Sequence, residues 1–195
     1  MSPRIMFSLA KMVVIGAVAI GCMFTSATNA VAAEKDSSPT RQSNSGPQLV
    51  KLSQPAALAA AAGTQIHNGN ADGKCIGISG YIAGDWLCTT NPDQTWHFDT
   101  NQCITAYYCH LVNGEGKCLA VAGGVNADAT EIWGFNCGNS NNPDQYWGQT
   151  AGSPFNLVNY MAGHRVLGVW GGSTDNGARL VLFHYDGTSN QYWYV

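Results

Sequence analysis

The chain has 195 residues, a formal charge of −3, 23 glycines and only 11% charged residues. A chain without a basic excess lacks the basic face that binding a phosphate backbone needs, which speaks against nucleic acid as a partner. The length suits one core-bearing domain with flanking segments rather than several domains.

Residues 1–33 read as a secretory signal peptide. Arg4 and Lys11 are the only charges before Glu34, residues 12–24 are apolar, and Val31-Ala32-Ala33 supplies small residues for cleavage. The apolar run is shorter than the about 20 residues a transmembrane helix needs, so no stable membrane span is expected. A second export route is open, because Val18-Ala19-Ile20-Gly21-Cys22 resembles a bacterial lipobox and would leave the protein lipid-anchored through Cys22. Either route gives an extracellular product. Without its signal the chain keeps six cysteines, an even number in an oxidising compartment, which reads as a disulfide set. No pair has zinc-ribbon spacing, and neither metal nor cofactor is implied.

Residues 34–63 form a Ser/Pro/Ala-rich linker with no aromatic residue. Residues 37–48 are expected to be disordered, and Pro55 and Gly63 frame a short alanine-rich helix. A spacer and a plain connection account for this stretch equally well.

Residues 64–195 are a repeat. Asn142-Pro143-Asp144-Gln145-Tyr146-Trp147 recurs as Asn91-Pro92-Asp93-Gln94-Thr95-Trp96 and, loosened, as Thr188-Ser189-Asn190-Gln191-Tyr192-Trp193. Each mark is read as a turn followed by a short strand that carries Gln and Trp on one face. One unit has no partner surface for its Trp; three around an axis bury all of them together. Ile66-His67-Asn68, Leu111-Val112-Asn113 and Leu157-Val158-Asn159 open the copies. Lys74-Cys75-Ile76-Gly77-Ile78, Lys117-Cys118-Leu119-Ala120-Val121 and Arg165-Val166-Leu167-Gly168-Val169 supply the second strands. The third run through Trp86-Leu87-Cys88, Phe135-Asn136-Cys137 and Phe183-His184-Tyr185. Short alternating runs broken by Gly, Asn, Asp and Pro describe an all-β, barrel-like domain.

The same alignment pairs the cysteines. Cys75 and Cys88 hold the positions of Cys118 and Cys137, and copy three loses both together, to Val166 and Tyr185. Joint loss implies joint function, so Cys75–Cys88 and Cys118–Cys137 are expected, with Cys103–Cys109 by elimination.

The three Gln-x-Trp marks, the sequence Gly-Lys-Cys-Leu-Ala-Val at 116–121 with its analogue at 73–78, and the paired cysteines resemble the ricin B-type lectin domain. That family is a β-trefoil with pseudo-threefold symmetry, also found as a carbohydrate-binding module of secreted bacterial proteins. The resemblance covers residues 64–195 and implies a shallow sugar pocket in each copy. In the family, an Asp two residues after the first Cys position, a polar residue and an aromatic platform on the third strand, and the polar-Gln pair of the closing motif build that pocket. A carboxylate fixes sugar hydroxyls by charge-assisted hydrogen bonds, and a flat ring takes the apolar C–H face.

Carried over by position, the Asp site holds Gly77, Ala120 and Gly168, so no copy has the carboxylate. The platform is Trp86, Phe135 and Phe183, and the closing pairs are Asp93-Gln94, Asp144-Gln145 and Asn190-Gln191. The family's polar platform neighbour is Gly84, Trp133 and Val181. Trp133 and Trp170 stand outside the core pattern, which marks them as ligand-facing. Trp86, Phe135 and Phe183 fit either a platform or edge packing; Asp93 and Asp144 fit either a site or local turn bonding. The glutamines fit backbone staples as well as sugar contacts. His67, His97, His110, His164 and His184 stand singly, outside any catalytic motif. The expectation is a secreted, monomeric, non-enzymatic protein that binds glycan or polysaccharide weakly through aromatic platforms. The alternative is a non-lectin trefoil, an interaction or inhibitor module with degenerate pockets.

Overall fold

The computed structural model describes residues 47–52, 63–163 and 165–195. Four strands make each copy. Copy one contains β1 (His67–Asn68), β2 (Lys74–Ser79), β3 (Ile82–Leu87) and β4 (Trp96–Thr105). Copy two contains β5 (Tyr108–Asn113), β6 (Lys117–Val121), β7 (Thr130–Asn136) and β8 (Tyr146–Gln149). Copy three contains β9 (Leu157–Asn159), β10 (Arg165–Val169), β11 (Ala178–His184) and β12 (Trp193–Tyr194).

The first and fourth strands of the copies close a barrel through β1–β12, β4–β5, β5–β8 and β8–β9, completed by the bridges Thr64–Trp96 and Phe155–Trp193. The hairpins β2–β3, β6–β7 and β10–β11 form a triangular cap in which β3, β7 and β11 pair with one another. This is the β-trefoil. Barrel and cap enclose a single core that contains Trp96, Trp147 and Trp193, all fully buried. Each indole Nε1 donates to the carbonyl at the centre of its own copy's second strand, to Ile76 at 2.9 Å, Leu119 at 2.8 Å and Leu167 at 3.1 Å. The ring therefore fills the barrel while its polar atom is satisfied.

The glutamines do not sit on the strands as expected. Gln94, Gln145 and Gln191 end 3-10 turns at Pro92–Gln94, Pro143–Gln145 and Ser189–Gln191. Proline at the start of the first two fixes a φ suited to a helical turn, and this outweighs the β-prone residues that follow.

The hairpin loops break the symmetry. In copy one Gly80-Tyr81 turns β2 straight into β3, whereas residues 122–129 and 170–177 form long loops in the other two copies. Each long loop clasps the next copy. Asp128 bonds Arg165, His184 and the His184 backbone N–H at 2.8–2.9 Å. Asn176 accepts from Leu87 N–H at 2.7 Å, and Lys74 Nζ donates to the Thr174 carbonyl. Just before β7 and β11 these loops turn through equivalent positive-φ residues, Ala129 at 65° and Gly177 at 81°.

Three disulfides join Cys75 to Cys88, Cys118 to Cys137 and Cys103 to Cys109. The first two cross hairpins at Cys75–Trp86 and Cys118–Phe135 register; the third clips the β4–β5 extension. Part of the expected linker packs on the domain: Val50 N–H donates to Gln149, Leu52 N–H to Ala106, and Leu52 lies in the core. A polar average over residues 34–63 hides these few apolar side chains. The expected signal peptide and the short helix after Pro55 lie outside the described residues.

Candidate functional site

A recess lies between hairpin and closing turn in each copy. The glutamines set its floor by clamping the chain after the third strand. Gln94 Oε1 accepts from Thr89 N–H at 2.5 Å while its Nε2 donates to Leu87 at 3.0 Å. Gln145 does the same with Gly138 and Asn136, and Gln191 with Asp186 and His184. Both ends of each amide serve the backbone, so the three glutamines are staples first.

A second staple was legible only as a repeated letter. Buried Asn68, Asn113 and Asn159 donate to the carbonyls of Asn190, Asp93 and Asp144, and through Oδ1 accept from the turn that follows their own strand. They fix the residue that precedes each Gln, and so fix the side chain aimed into the recess.

The copies then diverge. In copy one Trp86 packs on the backbone at one wall of a recess of about 340 Å³ that Asp93 and Gln94 also line. A Cβ placed on Gly84, Gly177 or Gly77 would come within 2.7, 2.7 or 3.1 Å of its indole. Three glycines thus make the slot that the ring fills. A Cβ on Gly77 would also lie 3.0 Å from Asp93 Oδ2, which accepts from Ile78 N–H at 3.2 Å. The acid has moved from the second strand to the closing turn, where a backbone donor engages it.

Copy two carries the widest recess, about 510 Å³, lined by Ala120, Trp133, Phe135, Asn142, Asp144 and Met161 among others. Phe135 is 49% exposed. Trp133 lies nearly parallel to it, with centroids 5.9 Å apart, and takes the edge of Tyr81 at 5.2 Å on the other side. The indole Nε1 donates to Glu131 Oε2 at 3.2 Å. Trp133 is therefore the middle layer of a ladder whose outer ring is Phe135. Tyr81, in the short hairpin of copy one, covers the inner side of the ladder and leaves Phe135 as its exposed end. Asp144 is half-buried, and burial raises its pKa, opposed by its own backbone N–H and by His110. Among the described residues no backbone N–H of a neighbouring strand bonds its carboxylate as Ile78 bonds that of Asp93.

Copy three has a recess of about 360 Å³ lined by Gly168, Trp170, Val181, Phe183, Asp186, Thr188 and Asn190 among others. Asn190 Nδ2 donates to the Val169 carbonyl at 2.9 Å, the counterpart of the Asp93 contact. Asp186, which sequence reasoning missed, supplies the acid. Hydrogen bonds from Thr188 are the largest cause holding its carboxyl below the usual range, so it stays ionised. Trp170, 51% exposed, rises at the rim.

The structure thus gathers Trp133, Phe135, Asp144 and Gln145 around one recess, Trp170, Phe183 and Asn190 around a second with Gln191 beneath it, and Trp86, Asp93 and Gln94 around a third. His67 and His110 approach Cys75–Cys88 and Cys118–Cys137, but each sulfur is bonded to its partner and no thiolate is free for a metal. No helix among the described residues is long and apolar enough to cross a membrane.

Residues 92–183 match the family model described as ricin-type beta-trefoil lectin domain-like. No curated protein matches the chain in sequence. Among solved structures, the designed threefold-symmetric protein ThreeFoil superposes with a TM-score of 0.60 at 20% identity, over 68% of this chain and 96% of that one. The Macrolepiota procera ricin B-like lectin, solved with lactose, gives 0.56 at 20% identity, over 69% and 95%. An exo-β-1,3-galactanase from Clostridium thermocellum gives 0.58 at 18% identity, over 66% of this chain but only 28% of the enzyme. At these identities the likenesses establish the fold.

Proposed function

For a chain that carries a ricin-type β-trefoil lectin-like domain, we propose a secreted, non-enzymatic protein that binds neutral glycan or polysaccharide weakly, through the recesses of copies two and three. The observation that carries this is the coincidence, in each of these recesses, of an accessible ring with a carboxylate: Phe135 with Asp144, and Phe183 and Trp170 with Asp186. A ring for the apolar face and an acid for the hydroxyls restore, from different positions, what Gly77, Ala120 and Gly168 lack. The lactose held by the Macrolepiota lectin supports the ligand class. Disulfides support an oxidising, extracellular setting.

Copy one favours the second reading, an interaction or inhibitor module, because its Asp93 carboxylate is already engaged by the Ile78 N–H. A glycan array with the purified protein, followed by titration with the soluble glycans it retains, separates the two. Retention of neutral glycans is expected. No binding to any glycan up to millimolar concentration would leave the interaction module standing.

A further inference from the structure

The hairpin cap carries a feature that the three-pocket plan does not contain. Ile82, Glu131 and Arg179 occupy equivalent positions at the starts of β3, β7 and β11, where these strands converge. Arg179 Nη1 meets Glu131 Oε1 at 2.5 Å, and the other oxygen of Glu131 accepts from Trp133, which lines the copy-two recess. Beside this pair lies a further depression of about 260 Å³, lined by Ala129, Glu131, Trp170, Arg179 and Val181. Trp170 and Val181 also line the copy-three recess. Trp133 thus links the copy-two recess to the Glu131–Arg179 pair, and Trp170 links the depression beside that pair to the copy-three recess.

We propose that the centre of the cap is an additional sugar subsite, which joins the recesses of copies two and three into one groove for a neutral polysaccharide chain. This rests on the lectin reading and extends it from single sugars to a chain. The chemistry selects the occupant. Trp170 is half exposed between two depressions and can stack on both. The carboxylate and guanidinium neutralise each other, so they offer hydroxyls paired acceptors and donors without a net charge for an ionic ligand. The tight Gly80-Tyr81 turn sets Tyr81 edge-on against Trp133, which bounds the groove on the copy-one side.

The test is calorimetric titration with oligosaccharides of two, four and six residues cut from β-1,3-galactan and from β-1,4-xylan, with oligogalacturonate as a charged control. At least a tenfold gain in affinity from two to six residues is expected in a neutral series and not in the charged one. Arg179→Ala is expected to reduce the hexamer to the affinity of the dimer while the dimer is unaffected. Glu131→Gln, which keeps an acceptor for Trp133, is expected to do the same and decides the matter if Arg179→Ala does not fold. Equal affinities along both neutral series, or a length gain that survives both variants, overturns the groove. A glycan array with clear hits beside hexamers that fail to bind also overturns the groove, but leaves the lectin reading intact; an empty array overturns both.

Discussion

Asp144 and Asp85 are both acids displaced from the ordinary carboxylate range by burial, and they do opposite work. Asp144 faces a recess, and its raised pKa means that it gains a proton at higher pH than an exposed Asp, near 3.9. Glycan binding at copy two is therefore expected to weaken as pH falls toward the acid range, earlier than a solvated carboxylate would allow. An affinity profile over pH checks this, and Asp144→Asn should flatten it. Asp85 faces the interior where copy three has Leu182; it is fully buried, and neither carboxylate oxygen has a hydrogen-bond partner among the described residues. Desolvation, opposed by nearby Lys74, pushes its pKa up to about 6. Protonation is favoured in the folded state, so this residue's contribution to stability is most favourable below about pH 4 and is lost as pH rises through 6. Asp85→Asn is expected to raise stability at pH 7 by up to about 3 kcal/mol, with the gain vanishing near pH 4. Denaturant melts at the two pH values measure it; a loss at pH 7 would mean that Asp85 holds Lys74 in place.

At the scale of elements, the disulfides differ in what they close. Cys118–Cys137 spans 19 residues and Cys103–Cys109 only 6, on strands already paired. By loop-closure entropy, removing the shorter one is expected to cost about 1 kcal/mol less than removing the longer. Thermal melts of the two double Cys→Ser variants should show that order. The long loops are the second lever. Asp128→Ala removes the acceptor shared by Arg165 and His184 and is expected to loosen residues 122–129, seen as faster amide exchange there, while the core amides stay protected. An unchanged exchange pattern would show that the clasp adds nothing to the loop's order.

At the scale of the molecule, the threefold fold was legible in the Gln-x-Trp marks because core geometry repeats and leaves repeated letters. The site was legible only in part, because binding chemistry sits where the copies differ. The alignment singled out Phe135, Phe183 and Asp144, which line two recesses, yet it did not reveal that Trp86 packs against three glycines, since that depends on Gly177 from a loop of another copy. Asp186, Glu131 and Arg179 left no repeated signal at all. Nor did the shortened turn at Gly80-Tyr81 announce that it sets Tyr81 against Trp133 across the cap.

The division of labour among copies is the central claim, and one comparison tests it most directly. Using the strongest ligand from a glycan array, calorimetry on the wild type, on Phe135→Ala with Phe183→Ala, and on Trp86→Ala should give three distinct results. Each lost ring is worth about 0.5–1.5 kcal/mol, so each recess of the double variant is expected to fall about two- to tenfold in affinity, while Trp86→Ala binds like the wild type at a lowered melting temperature. Undiminished binding by a folded double variant, or loss of binding in a folded Trp86→Ala protein, would contradict it.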